Sequence, residues 1–372
     1  MRNKGKRLPS GMEMAAMVGQ APMRARRTGK ADRQPLTVVT GRAVGIQAVA
    51  QQAGVSIATV SRVLNGIKSK ANEETEARVR AAADELGYRP AHAGRALRMR
   101  QTKLVALLIP DISNAFYSAI ARSIESSLRL RDHTMILCNT NEDPELQDFY
   151  LEEMQSYHVR GVALLGAVDS PGLQLALSQG LPIAFVNRKP PRGGGVFVGI
   201  DNRAAGRTSA GHFLSQGFAP CAVIHGPLFS SASRERFEGF VSTLTEAGQP
   251  PAPAHILHGG LSIEGGYMAA SRLLAAKPYP RAVFCANDLV AYGLFRRCGE
   301  LGLQVPRDIA VLGFDDNPLN DWVAPWLSTI HIPYDAFGAA VTDALVRMWD
   351  GHDAHHAGEL LPFSLRLRGS AE

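Results

Sequence analysis

The sequence predicts two folds in one chain: a small N-terminal all-α helix-turn-helix domain, then an α/β domain of two lobes built on parallel sheets. Three observations predict this. Two short amphipathic patterns joined by a glycine occupy residues 45–65, strand-like runs alternate with helical ones from residue 103 onward, and 372 residues exceed the span of one ordinary compact core. Hydrophobic residues make up 45% and charged ones 20% of the chain, a composition suited to packed domains. The expected divisions are a disordered basic extension over 1–42, the helix-turn-helix domain over 43–90, a hinge helix or linker over 91–102, and the α/β part over 103–372. Its lobes divide near 201 and 329.

The net charge of +6 is unevenly placed. Residues 1–34 carry nine Lys/Arg against two acids, residues 35–101 carry ten against five, and the remaining 271 carry 21 against 27. The basic excess is N-terminal, and a polyanion partner is expected there, because Lys and Arg replace counterions condensed on nucleic-acid phosphates. Met1 to about Leu36 has no hydrophobic period and is assigned no structure. It reads as a basic arm or as the product of a start codon placed too far upstream, the compact domain then beginning near Val38 or Val39. The longest apolar runs, such as 104–110 and 161–168, fall short of half the ~20 residues of a membrane-spanning helix. No continuous apolar segment precedes a cleavage site, so a cytoplasmic protein is expected. Cys138, Cys221, Cys285 and Cys298 lack C-x-x-C spacing, and three of them lie in apolar runs, the pattern of buried free thiols.

Residues 45–65 read GIQAVAQQAGVSIATVSRVLN. The chain must turn sharply after the first helix, and Gly54 takes a left-handed conformation without steric cost. Ile46, Val49 and Ala50 form one apolar face. Ser56 is a good N-cap for a second helix whose Val60, Val63 and Leu64 pack back on the first. Ile57, Ala58, Ser61 and Arg62 are then expected on the outer side, short residues with one guanidinium, suited to a major groove about 12 Å wide. Thr59 and Asn65 are placed to reach phosphates. A third pattern over 73–86 supplies Val79, Ala82, Ala83 and Leu86 to close a three-helix core. The stretch AHAGRALRMRQT that follows is too short to hold a helix alone, since one or two turns do not cover the nucleation cost.

In the α/β part, strands are expected at 104–110, 134–138, 161–165, 183–186, 196–200, 221–225, 254–257, 282–286 and 309–313, too many for one ordinary sheet. A division near Asp201-Asn202 gives two sheets of similar size, and LSTIHIPYDAFG suggests a return to the first lobe. Two lobes leave a cleft, and in open α/β sheets ligands sit beyond the carboxyl ends of the strands. The residues there are polar: Asp111, Asn139, Asn187, Asn287 with Asp288, and Asp315 with Asp316. Carboxylates and amides bind adjacent hydroxyls, and an arginine, for which Arg236 is the choice, adds bidentate donors. Phe116 and Tyr117 offer faces for stacking. There is no G-x-G-x-x-G after a strand, no P-loop and no G-x-S-x-G, so no catalytic residue and no cofactor is expected. His352, His355 and His356 lack neighbours that would complete a metal site. No leucine heptad follows, so a dimer is expected.

Residues 45–101 resemble the DNA-binding end of the LacI/GalR family of bacterial repressors, through AGVSIATVSRVLN and EETEARVRAAADELGYRP. The stretches IPDISNAFYSAIARSIE, VRGVALL, VGIDNRAAG, SRERFEGF, VFCANDLVAYGL and VPRDIAVLGFDD resemble its periplasmic-binding-protein-like sensor domain. The resemblance implies that Ile57, Ala58 and Arg62 read bases while Ser56, Thr59, Ser61 and Asn65 position the helix on the backbone. It implies that Leu97 wedges a minor-groove step from a hinge helix. It also implies that Arg236, Asp315 and Asn287 contact an effector, with Phe116, Asn187 and Leu261 lining the pocket.

Departures from the family pattern are Ala48 in place of an acid near the start of the first helix, Ala91 and Gly94 in the hinge, Asn187 in place of an acid, and Leu261 in place of an aromatic. Gly94 should cost the hinge about 1 kcal/mol, so it orders less readily. The expected protein is a homodimeric, cytoplasmic, nucleoid-associated transcription regulator. It represses carbohydrate uptake or catabolism genes from palindromic double-stranded operator DNA, under control of a small sugar or sugar acid bound in an effector-binding and dimerisation domain. The competing readings are a sugar-binding protein without DNA contacts and a sugar-modifying enzyme.

Overall fold

Gly54 ends the first helix among the described residues. α1 (Ile46–Ala53) stops there because Gly54 turns left-handed at φ 67°, and its N–H returns to the carbonyls of Ala50 and Gln51. The computed structural model describes residues 45–64, 72–88, 102–351 and 359–372. The chain divides into two compact units, residues 1–90 and 91–372. In the first, Ser56 accepts the Thr59 N–H at 3.2 Å and opens α2 (Ile57–Leu64). Asn72 does the same for Thr75 and opens α3 (Glu73–Glu85), whose first turn holds Glu73, Glu74 and Glu76 against the positive end of the helix dipole. α1 has no acid in its first turn, and its N-cap Gly45 makes no side-chain bond, in keeping with Ala48. Val49, Val60 and Val79 meet at the centre, with Ala50, Ala53, Ala82 and Ala83 small enough to let three short helices close.

The second unit has two six-stranded sheets. The first holds β1 (Leu104–Ile109), β2 (Thr134–Asn139), β3 (Gly161–Leu165), β4 (Ile183–Val186), β5 (Val196–Ile200) and β11 (Glu359–Leu361), in the order β11-β5-β4-β3-β1-β2. The second holds β6 (Cys221–His225), β7 (Ile256–His258), β8 (Ala282–Cys285), β9 (Ala310–Asp315), β10 (Ser328–His331) and β12 (Ser364–Arg366), in the order β12-β10-β9-β8-β6-β7. All pairings are parallel except β10 with β12. The near-continuous apolar strands follow from helices on both faces, since neither side of such a strand meets water.

On the first sheet, α4 (Ala115–Leu130) and α12 (Tyr334–Trp349) cover one face, while α5 (Pro144–Ser156) and α6 (Pro171–Ser178) cover the other. On the second, α7 (Asn202–Ser215) and α8 (Ser231–Glu246) oppose α9 (Ile263–Leu273) and α10 (Asp288–Glu300), with the short α11 (Asn320–Val323) before β10.

The chain passes between lobes three times. It leaves the first after β5, returns between β10 and α12, and leaves again between β11 and β12. The expected return near 329 comes slightly later, because Ser328–His331 pairs with β9 before the chain crosses. The third passage is not legible in the sequence, since strands of three residues are too short to show a period. The strand expected from 254 begins at Ile256, after a 3-10 turn over Pro253–His255. The four cysteines are buried and free.

Candidate effector pocket and DNA-contact helix

The carboxyl ends of strands from both lobes converge on one pocket. From the first lobe come Asn114, Phe116 and Tyr117 at the start of α4, and Asn187 and Arg188 after β4. From the second come Ser230, Ala232, Ser233 and Arg236 of α8 and its entry, Leu261 after β7, Asn287 after β8 and Asp315 at the end of β9. All six residues expected at an effector site, Phe116, Asn187, Arg236, Leu261, Asn287 and Asp315, line it. The free space is about 20 Å³, room for roughly one water.

Arg236 is the best-held side chain in the pocket. Its Nε donates to Asn202 Oδ1 at 2.8 Å, its Nη1 donates to the Ala286 carbonyl at 2.8 Å, and its guanidinium lies 3.5 Å from the centroid of the Phe314 ring. Burial pulls its pKa below the usual arginine range, against the pull of Asp315. Asp315 Oδ1 lies 3.8 Å from Nη1, beyond hydrogen-bond length, and is buried without a hydrogen-bond partner. Burial pushes the Asp315 carboxyl up to about 8, with Arg236 opposing and Asp288 adding to the rise.

Backbone strain marks the same places. Asp315 has φ 102° and Asn187 φ 64°, a region few residues other than glycine occupy, and such strain concentrates at ligand clamps. Asn287 works twice: its Oδ1 accepts the Val290 N–H at 3.0 Å and starts α10, while its Nδ2 donates to the Leu261 carbonyl at 3.2 Å. Phe116 is packed edge-on against Tyr117 at 4.9 Å and Tyr334 at 6.0 Å. Burial pushes the Tyr117 hydroxyl up to about 12.

Other post-strand polar residues have structural duties. Asp111 accepts from Ser113, and Asn139 accepts the Ile112 N–H. Asp288 joins Thr329 Oγ1 at 2.6 Å, Asn317 N at 2.6 Å and Asn320 Nδ2 at 2.8 Å, and burial lifts its pKa to about 6. Asp316 binds His331, Arg366 and Arg368, each at 2.9 Å. Sequence reasoning missed Asn114, Arg188, Ser230, Ala232 and Ser233. Arg188 carried a usable signal, being the residue next to Asn187 after a strand.

On the helical unit, Ile57, Ala58 and Arg62 lie exposed on α2, Thr59 is half-buried, and Ser56 caps the helix. Ser61 does not share the outer face expected of it, being only 7% exposed. Directly after Val60, it sits at the border of the apolar stripe, where neighbours cover so small a side chain. Asn65 and Leu97 lie outside the described residues, as do Ala91, Gly94, the basic extension and His352, His355 and His356. Among the described residues no group of three His, Cys, Asp or Glu is placed to hold a metal, and no helix is long and apolar enough to cross a membrane.

The profile of bacterial regulatory proteins of the lacI family matches residues 45–91, and that of a periplasmic binding protein-like domain matches 210–371. The chain is 33% identical over 300 residues to the ribose operon repressor of Escherichia coli (strain K12), covering 80% of this chain and 91% of that one. The chain belongs to the LacI family.

Another LacI-family relative is the HTH-type transcriptional repressor PurR of Pectobacterium carotovorum, 32% identical over 331 residues, with 88% of this chain and 97% of that one covered. Among solved structures, the lac repressor dimer bound to operator and the anti-inducer ONPF is similar with a TM-score of 0.80. It is 26% identical, over 88% of this chain and 99% of that one. The complex of the transcriptional regulator CelR with cellobiose is similar with a TM-score of 0.68 at 28% identity, over the same shares. As a LacI-family protein, the chain is a transcription regulator and not an enzyme.

Proposed function

We propose that this protein is a homodimeric repressor in the cytoplasm, associated with the nucleoid, that binds palindromic operator DNA and releases or tightens it when a small sugar or sugar acid enters the cleft. The observation that carries the effector reading is Asp315: a buried carboxyl group with one unpartnered oxygen, set beside a fixed guanidinium in a pocket that both lobes wall. A buried polar atom left unpaired costs about 1–3 kcal/mol, and vicinal hydroxyls would remove that cost by donating to Asp315 and accepting from Arg236. Asn187 and Asn287 add amide partners, and Phe116 and Leu261 add apolar walls.

The DNA reading places α2 in the major groove. Ile57, Ala58 and Arg62 face base edges, Ser56 and Thr59 face phosphates, and Asn65 and Leu97 are assigned to backbone and minor-groove contacts. Ser61, buried at the edge of the apolar stripe, is left out of the DNA-facing set. The two sites are coupled only by the effector's differential affinity for the DNA-competent and incompetent states.

The test is calorimetric titration of the full chain with a panel of neutral and acidic sugars, alongside Asp315→Asn and Arg236→Ala. At least one sugar should bind and shift operator affinity in gel-shift assays, and both variants should lose it. Turnover of a bound sugar, or binding that both variants retain, would reject the assignment.

A further inference from the structure

A second chamber opens beside the effector pocket. It measures about 540 Å³, within the usual range for small-molecule sites, whereas the inner pocket has room for a water. Arg188 lines both. The chain passes from one to the other within two residues on each side: Asn187 lines the inner pocket and Lys189 the outer chamber in the first lobe, as Ser230 and Ser231 do in the second.

The outer chamber has a distinct chemistry. Arg188, Lys189 and Arg234 face it against one acid, Asp169, which already holds Arg192. Arg188 is 2% exposed and fixed by Glu142 and by the Gly166 carbonyl at 3.2 Å, so its charge cannot swing away to solvent. Lys189 reaches across the lobes: its N–H donates to Ser231 Oγ at 2.9 Å and its Nζ lies 2.7 Å from Glu235. Arg234 bonds the Leu228 carbonyl at 3.1 Å, and Glu238 is no nearer than 3.9 Å. α8 begins at this junction, and its N-cap Ser230 makes no side-chain cap bond, so the positive end of a 16-residue helix adds to the field. Phe229, 66% exposed, supplies an apolar wall 5.6 Å from the Arg188 guanidinium.

We infer that the effector is a two-part molecule, a hydroxylated ring in the inner pocket and a phosphate ester in the outer chamber, with Arg188 between them and Lys189 and Arg234 as further phosphate partners. This inference deepens the effector reading proposed above and rests on it. A phosphate in the chamber would compete with Glu235 for Lys189 and would draw both lobes onto one dianion, which ties recognition of the ester to cleft closure. A neutral sugar of the same ring would leave the three cations without a ligand charge.

The experiment is calorimetry on the full chain with D-ribose, D-ribose 5-phosphate, D-glucose, D-glucose 6-phosphate and inorganic phosphate, repeated for Arg234→Ala and Lys189→Ala. A phosphorylated sugar should bind about ten-fold or more tightly than its parent, and each variant should bring it back toward the parent's affinity. Neutral sugars that bind as tightly as their phosphates overturn the outer site and leave the inner reading intact. If the phosphorylated sugars and inorganic phosphate bind, lose affinity in the variants, and no neutral sugar binds, the outer anion site is supported while the sugar-ring reading fails. Binding of none of the five overturns both.

Discussion

At the scale of single residues, the proposed effector pocket is built around a carboxyl that its surroundings do not fully satisfy. Asp315 is strained, buried and short of one hydrogen bond, and its carboxyl is pushed up to about 8. Asp315→Asn removes the charge that burial penalises. The variant should melt higher than wild type at pH 8 by about 2–4 °C, a gain on the order of 1 kcal/mol, while losing effector binding. Thermal melts paired with calorimetry check both halves. Arg62 is the exposed guanidinium of α2, and Arg62→Ala should cost about 1–3 kcal/mol of operator affinity and relax preference at one base position, read out by binding to a set of single-base operator variants.

The residue scale also shows where sequence reading succeeds and where it stops. Arg236, Asn287 and Asp315 were legible because a polar residue just past an apolar strand has few places to go but the strand-end cleft. The same logic pointed to Asp111 and Asn139, whose oxygens instead accept from Ser113 and from the Ile112 N–H, while Asn114, Phe116 and Tyr117 line the pocket after β1. Ser61 was misplaced because a helical period assigns angle and not cover, and a small side chain at the stripe's edge is buried by whatever stands beside it.

At the scale of elements, the crossing of α7 and α8 positions the arginine. A Cβ on Gly206 would lie 2.2 Å from the Arg236 carbonyl, and one on Gly239 would lie 2.2 Å from the Arg203 carbonyl. The two helices therefore touch backbone to backbone, and any side chain there pushes α8 away from Asn202, which holds Arg236 Nε. Gly206→Ala should destabilise the protein by about 1–3 kcal/mol and weaken effector binding, measured by urea denaturation and calorimetry together. In the helical unit, Ser56→Ala removes the α2 cap and should cost about 1 kcal/mol, seen as weaker operator binding and a lower helical melting midpoint. Strands such as β1, with its run of apolar residues, were plain in the sequence. β11 and β12 were not, since their three-residue pairings depend on partners more than 30 positions away.

At the scale of the whole α/β unit, three passages between lobes make a hinge, and the charges around the second lobe set its response to pH. Asp288 and Asp315 have pKa values raised to about 6 and about 8. Their contribution to stability is full below the unfolded carboxylate value of about 4 and is lost as pH rises through 6 and 8. Asp316 runs the other way. Burial alone would raise it, but Arg368, His331 and Arg366 hold it below the usual range, so its contribution is present above about 4 and lost as pH falls further. The melting temperature of the α/β unit should therefore decline from pH 5 to pH 9, and decline less in Asp315→Asn; an equal decline in both would remove Asp315 as the cause.

The central claim is that an event in the cleft governs a helix that reads DNA. The most direct measurement takes a palindromic duplex selected by the full chain from a random pool, and follows its affinity by fluorescence anisotropy at fixed salt while the sugar that binds the protein is titrated. The palindrome should be preferred over random duplex by about 10³-fold or more, the sugar should change that affinity by about ten-fold or more, and Asp315→Asn should abolish the change while keeping the preference. No preference for any palindrome, or a sugar that binds without moving DNA affinity, would contradict the account.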